Sequence, residues 1–136
     1  MSGIGFFLYW VFLLVMVLLI PGVMLFFGRE LERNPPQEIN HGYGYRTNWS
    51  MKSKLTWDFA QVCCGRLWQK CGKILLPVSV APMVAVLLLG RDVEPGGTIC
   101  LVINGVQLAV MLGTIFPVEK ALKRNFDENG IRYPEI

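Results

Sequence analysis

Three stretches of this 136-residue chain contain no Asp, Glu, Lys, Arg or His: residues 4–27, 74–90 and 95–118. At 1.5 Å rise per residue the two longer ones reach about 36 Å as helices and the short one about 25 Å, against a bilayer hydrocarbon core of roughly 30 Å. The remaining composition agrees: 53% of residues are hydrophobic and 17% charged, where soluble domains carry about 25% charged residues. A soluble unit this small has too little interior to hide that much apolar surface. The pattern excludes a soluble enzyme, a disordered chain and a small disulfide-stapled secreted domain. It predicts an integral membrane protein.

The first stretch spans with tilt. The third opens with Pro95, Gly96 and Gly97, a turn signal, so its helix is expected from about residue 98 to 118. The short second stretch is framed by Lys73 and Arg91, whose long side chains can snorkel to the interface. A re-entrant hairpin made of the second and third stretches is disfavoured, because polar residues 91–94 would then sit at membrane depth. The first stretch also does not read as a cleaved signal. It lacks a basic start, its apolar run is too long, and Phe26 and Phe27 stand where small residues belong.

Lys and Arg give the orientation. Eight lie in residues 28–73, four in residues 119–136, one at Arg91 and none before the first span. With three spans the first loop and the C-terminal tail share a side, so the positive-inside rule places both in the cytoplasm and the N-terminus outside. The net charge of +3 then reads as topology and attraction to anionic lipid. No motif supports nucleic-acid binding. Cys63, Cys64, Cys71 and Cys100 with the single His41 lack zinc-ligand spacing, so no metal, cofactor or intrachain disulfide is expected.

The connector 28–73 divides in two. Residues 28–49 hold Pro35, Pro36, Gly42 and Gly44 and show no sustained period, as a loop does. From about 50 to 71 the pattern turns helical: Trp57, Ala60, Cys64, Leu67, Trp68 and Cys71 form an apolar stripe. Lys54, Asp58, Gln61, Gly65 and Gln69 lie on another side, and Arg66, Lys70 and Lys73 make a basic edge. This spacing predicts an amphipathic helix lying in the interface, capped by Asn48 or Ser50 and hinged at Gly72 into the second span. Packing of the same stripe against the bundle is compatible with it. The expected fold is thus all-α: a single membrane domain over 1–136 with transmembrane helices at about 4–27, 74–90 and 98–118. An interfacial helix sits between the first two, and the tail 119–136 follows the third.

The loop carries a recognisable run: Asn40, then Gly44, Tyr45, Arg46 and Thr47, then Ser50 and Ser53, then Trp57, Ala60 and Gln61. In order, spacing and placement between two spans it resembles the signature of the SdpI family of bacterial immunity membrane proteins. The resemblance covers roughly residues 1–120, its specific part being 40–61. Ile39 and Asn48 stand where the family usually has proline, and longer members carry further N-terminal spans.

Physically, Arg46 can grip a phosphate or carboxylate through two parallel hydrogen bonds, and a nearby helix start offers free N–H groups. Arg46, Thr47, Ser50, Lys52 and Ser53 therefore form a candidate anion-binding corner. The alternative is that Arg46 ties the loop to helix-end carbonyls. Within the membrane, Asn104, Gln107 and Thr114 line one stripe of the third span, as packing residues or as contacts to a ligand. A second stripe, Gly105, Ala109 and Gly113, has the spacing that lets helices approach closely. Pro21, Pro77, Pro82 and Pro117 each free the carbonyl four residues earlier, and those carbonyls need partners from Arg46, hydroxyl groups or water.

No nucleophile–base pair or carboxylate cluster is visible, so the chain is expected not to be an enzyme. The resemblance implies residence in the bacterial cytoplasmic membrane and resistance to a secreted membrane-active peptide, by binding the peptide or its target. The alternative is an accessory or scaffold subunit docked, or self-associated, through its small-residue faces.

Overall fold

A computed structural model describes residues 2–40, 42–89 and 93–134, apart from the side chains of residues 93–95. His41 and Arg91, which entered the metal-spacing and charge arguments, lie outside the described residues. Among the described residues four helices follow one another: α1 Gly3–Arg33, α2 Lys54–Leu89, α3 Val93–Gly113 and α4 Ile115–Asn125. Among the described residues three segments, Gly3–Arg33, Lys54–Leu89 and Gly96–Asn125, are long and apolar enough to cross a membrane.

Each boundary has a local cause. The Ser2 side chain accepts a hydrogen bond from the Gly5 N–H at 3.0 Å and caps α1. Pro35 and Pro36 end α1 just after Asn34, whose N–H closes on the Glu30 carbonyl at 2.8 Å. Helix α2 is capped by Ser53 rather than by Asn48 or Ser50. The Ser53 hydroxyl accepts from the Thr56 N–H at 3.1 Å, and the Thr56 hydroxyl accepts from the Ser53 N–H at 2.9 Å. Thr114 separates α3 from α4, three residues ahead of Pro117, which cannot donate to the Gly113 carbonyl.

The segment expected as a separate interfacial helix is instead the first half of α2, which runs unbroken through Gly72. Gly72 is no hinge. It is buried against α1, where an added Cβ would come within 2.9 Å of the Leu25 side chain. The stripe led by Trp57, Ala60 and Cys64 is buried within the bundle, and so are Gln61 and Gly65 from the adjoining side.

Helices α1 and α2 are antiparallel and share the most extensive contact in the chain. The Trp10 indole N–H donates to the Met83 carbonyl at 2.7 Å at one end of the pair, and Arg66 meets Glu32 at 3.1 Å near the other. Between them the backbones approach through glycine. A Cβ on Gly65 would stand 2.5 Å from the Gly28 carbonyl oxygen, and one on Gly28 would stand 2.8 Å from that of Gly65. The expected small-residue stripe of α3 makes no such approach, since a Cβ on Gly105 or Gly113 would meet nothing within 4 Å.

Gln107 locks α3 onto this pair. Its side-chain amide donates to the Val17 carbonyl and to the Ser79 hydroxyl, both at 2.8 Å, and it is fully buried. Val17 is the carbonyl that Pro21 frees, so its partner is Gln107 rather than Arg46, a hydroxyl or water. Gln107→Leu strands that carbonyl in an apolar interior. We expect it to destabilise the fold by about 1–3 kcal/mol, read as a lowered unfolding midpoint of the detergent-solubilised protein.

Two clusters complete the interior. One, at the far end from the loop, joins Leu13, Val17, Met83 and Cys100. The other, at the loop end, joins Leu31, Tyr45, Ala60, Cys64, Val118, Leu122 and Phe126. Outward faces are apolar, with Phe7, Phe12 and Leu19 on α1 and Leu101, Val106 and Leu112 on α3 all exposed. At most 28% of the most apolar window of any span is buried, as lipid-facing helices require.

Candidate functional site

Residues 34–40 and 42–53 are held at one end of the bundle by side chains that satisfy the loop's own backbone. The Asn40 carboxamide oxygen accepts from the N–H groups of Gly42 and Tyr43 at 2.9 and 2.7 Å, closing a turn. Gly44 follows with φ +108°, and a Cβ there would lie 2.6 Å from the Gln61 side-chain oxygen. Both demands require glycine.

That close passage delivers Tyr45 to Gln61, which is fully buried in α2. The Tyr45 N–H donates to Gln61 Oε1 at 2.7 Å, and Gln61 Nε2 donates to the Tyr45 carbonyl at 2.8 Å. One side chain thus pairs with the loop backbone as a neighbouring strand would. Trp57 adds a second tie, its indole N–H donating to the Pro36 carbonyl at 2.7 Å.

Beyond Tyr45 the hydroxyl residues fold the chain back. The Ser50 hydroxyl accepts from the Thr47 N–H at 2.8 Å and lies 3.1 Å from the Tyr45 carbonyl, to which it donates. The Thr56 hydroxyl reaches the Ser50 carbonyl at 3.1 Å. The Ser53 hydroxyl donates to the Gly130 carbonyl at 2.7 Å, and Lys52 Nζ to that of Glu128 at 2.6 Å, so the tail 126–134 packs onto the start of α2. Lys52 and Lys123 both lie over the Trp49 ring, at 4.7 and 5.9 Å.

The sequence reading missed Glu119. Its carboxylate accepts from the Tyr45 hydroxyl at 2.7 Å and from the Thr47 hydroxyl, so the residues flanking Arg46 are both anchored on α4. Burial, reinforced by the Glu119 charge, pushes the Tyr45 phenol well above its ordinary range, so it remains a donor at any ordinary pH. The available signal was a carboxylate immediately after the third charge-free stretch.

Between this loop and the helices lies a cavity of about 380 Å³. Val23 and Phe27 of α1, Trp68 of α2 and Leu112 and Ile115 form its walls, and Tyr45, Arg46 and Thr47 form its polar rim. Arg46 is exposed. Thr114 joins this site, accepting from the Trp68 indole N–H at 3.0 Å. The other two residues of its stripe do not. Gln107 sits deep in the bundle, and Asn104 lies toward the far end, beside Tyr9 and Thr98, with its amide 3.6 Å from Cys100 Sγ. The arrangement suits an elongated apolar guest with a polar or anionic end.

A family model described as the SdpI/YfhL protein family matches residues 37–118, taking in the loop, α2, α3 and the start of α4. No curated protein and no solved structure matches the chain.

Proposed function

The chain belongs to the SdpI/YfhL protein family, and from that premise we propose that it is a non-catalytic immunity protein of the bacterial cytoplasmic membrane. In this reading it protects its host from a membrane-active peptide by binding the peptide, or the target that the peptide attacks. The observation that carries the reading is the cavity beneath the signature loop, apolar along the helices and polar at Arg46 and Thr47. A peptide helix that has entered the bilayer presents the complementary form, an apolar body and a polar terminus.

Access from the lipid supports this reading. Val23, Leu112 and Ile115 line the cavity and are 41%, 54% and 40% exposed. In this reading the cavity opens sideways to the hydrocarbon. This removes a difficulty with the topology expected from the Lys and Arg distribution, which places the loop in the cytoplasm although the peptide arrives from outside. A guest already inserted reaches the site laterally, and Arg46 faces the end that penetrates deepest.

In a peptide-sensitive bacterium challenged with membrane-active peptides, expression of the chain is expected to raise survival at least tenfold for one of them. Arg46→Ala, produced at the same level in the membrane, is expected to lose most of that protection. Full protection by Arg46→Ala would remove the guest-binding role of the rim. No protection by the wild-type chain against any peptide would favour a second reading, an accessory subunit. The outward-facing Gly105, Ala109 and Gly113 favour that one, since they leave α3 open to a partner helix.

A further inference from the structure

On the opposite side of α2 from the signature cavity, a trough of about 680 Å³ runs between the first half of α2, α4 and the C-terminal tail. Phe59, Val62 and Phe126 give it an apolar floor, and Arg66, Lys70 and Arg132 line it with positive charge. These cations come from two separate parts of the chain. Arg66 and Lys70 are one helical turn apart on α2, whereas Arg132 is brought in by the tail through the bridge between Phe126 and Arg132. The guanidinium of Arg132 lies 5.9 Å from the Phe126 ring.

Two carboxylates nearby are already engaged. Asp58, the acid lining the trough, pairs with Lys54 at 2.6 Å, and Glu32 pairs with Arg66 at 3.1 Å. Among the described residues neither Lys70 nor Arg132 has a carboxylate within ion-pair distance.

Packing fixes the level of the trough. On α1 the charge-free stretch ends at Phe27, and Gly28 rests on Gly65 and Gln69. On the third span it ends at Val118, which packs with Ala60 and Cys64. The apolar-to-charged boundary of the bundle therefore crosses α2 between about residues 60 and 69, within the trough. Lipid phosphates lie about 5–7 Å outside the hydrocarbon, so the trough reaches from the hydrocarbon edge to their level. Below it the surface continues as exposed Ile74 and Phe116, 58% and 77% accessible, a track for acyl chains.

We propose that this trough is a binding site for one anionic phospholipid, whose acidic headgroup is held by Lys70 and Arg132 with Arg66 beside them. The glycerol and upper acyl carbons lie on Leu67 and Pro117, the side of the trough nearer the spans, and lead toward Ile74 and Phe116. Basic pockets at membrane boundaries recognise anionic headgroups in this way, through charge that a zwitterionic lipid does not complement. The site is separate from the signature cavity and does not depend on the immunity reading.

The test is lipid retention by the full chain in native mass spectrometry, with phosphatidylglycerol and phosphatidylcholine offered in equal amounts. The wild type is expected to keep one phosphatidylglycerol with at least a tenfold preference. K70Q/R132Q, which spares the Arg66–Glu32 pair, is expected to bring that preference below threefold, and the charge-conserving K70R/R132K to keep it. K120Q/R124Q removes two exposed cations of α4 outside the trough and is expected to leave the preference intact. An equal loss in K120Q/R124Q would reduce the effect to diffuse attraction and overturn the site. So would an unchanged K70Q/R132Q, equal retention of phosphatidylcholine, or displacement of the lipid by glycerophosphate alone.

Discussion

Gly65→Val is expected to unseat α1 from α2 and to cost about 3 kcal/mol or more, at the upper end of what overpacking does. The first added carbon would stand 2.5 Å from the Gly28 carbonyl oxygen and 2.8 Å from the Glu32 nitrogen. Both are backbone atoms of a helix, which have no rotamer to escape into. The helices must separate, and with them the loop-end cluster containing Leu31 and Cys64 loosens. Thermal unfolding in detergent, followed by circular dichroism, reads the effect directly. Gly105→Ala is the paired control. Nothing lies within 4 Å of its Cβ, so it is expected to be neutral or to gain up to about 1 kcal/mol from helix propensity. Equal midpoints for Gly65→Val and the wild type would refute the close approach.

The second large effect is expected at Gln61. Gln61→Leu keeps the bulk and removes both hydrogen bonds to Tyr45, leaving a buried N–H with no acceptor. The expected cost is about 2–3 kcal/mol. The Tyr45 carbonyl keeps the Ser50 hydroxyl, so the damage concentrates on the strand-like pairing that seats the loop. Gln61→Glu separates the two halves of that pairing, retaining an acceptor for the Tyr45 N–H while turning a carboxylate toward the Tyr45 carbonyl in a fully buried site. It is expected to destabilise at least as much as leucine at neutral pH. Limited proteolysis within residues 34–53 is the sensitive measurement, because a released loop becomes cleavable while the spans stay protected. Unchanged protease resistance in both variants would show that Gln61 does not hold the loop.

Much of the architecture was legible because charge-free stretches of spanning length have few other uses, and the loop signature identified the family. The separate interfacial helix was misjudged for a specific reason. A stripe such as Trp57, Ala60 and Cys64 has the same period whether it faces lipid headgroups or other helices, and only the partner distinguishes them. Gly72 suggested a hinge, yet a glycine costs a helix only about 1 kcal/mol, and here its missing side chain admits α1. Gln61 and Gly65, grouped with Lys54 and Asp58 by polarity, turn inward, since an amide that pairs with a backbone and a glycine that admits one are both interior choices in a tightly packed helix pair. Asn104, Gln107 and Thr114 share a stripe by their spacing in the sequence but sit at three depths, so they serve three different neighbours. Glu119 was missed for another reason: its place just after a charge-free stretch marks it as a boundary carboxylate, but its partners are more than seventy residues away.

That separation bears on how the protein is made. Tyr45 and Thr47 emerge from the ribosome 74 and 72 residues ahead of the carboxylate that anchors them. Until the third span has entered the bilayer and turned Glu119 toward them, the signature segment has its ties to α2, such as Gln61, Trp57 and Thr56, but not this anchor on α4. Its final shape thus reports that membrane insertion is complete. A nascent chain stalled before Glu119 would display a half-fastened loop to the cell's proteases, and only the finished bundle would escape them.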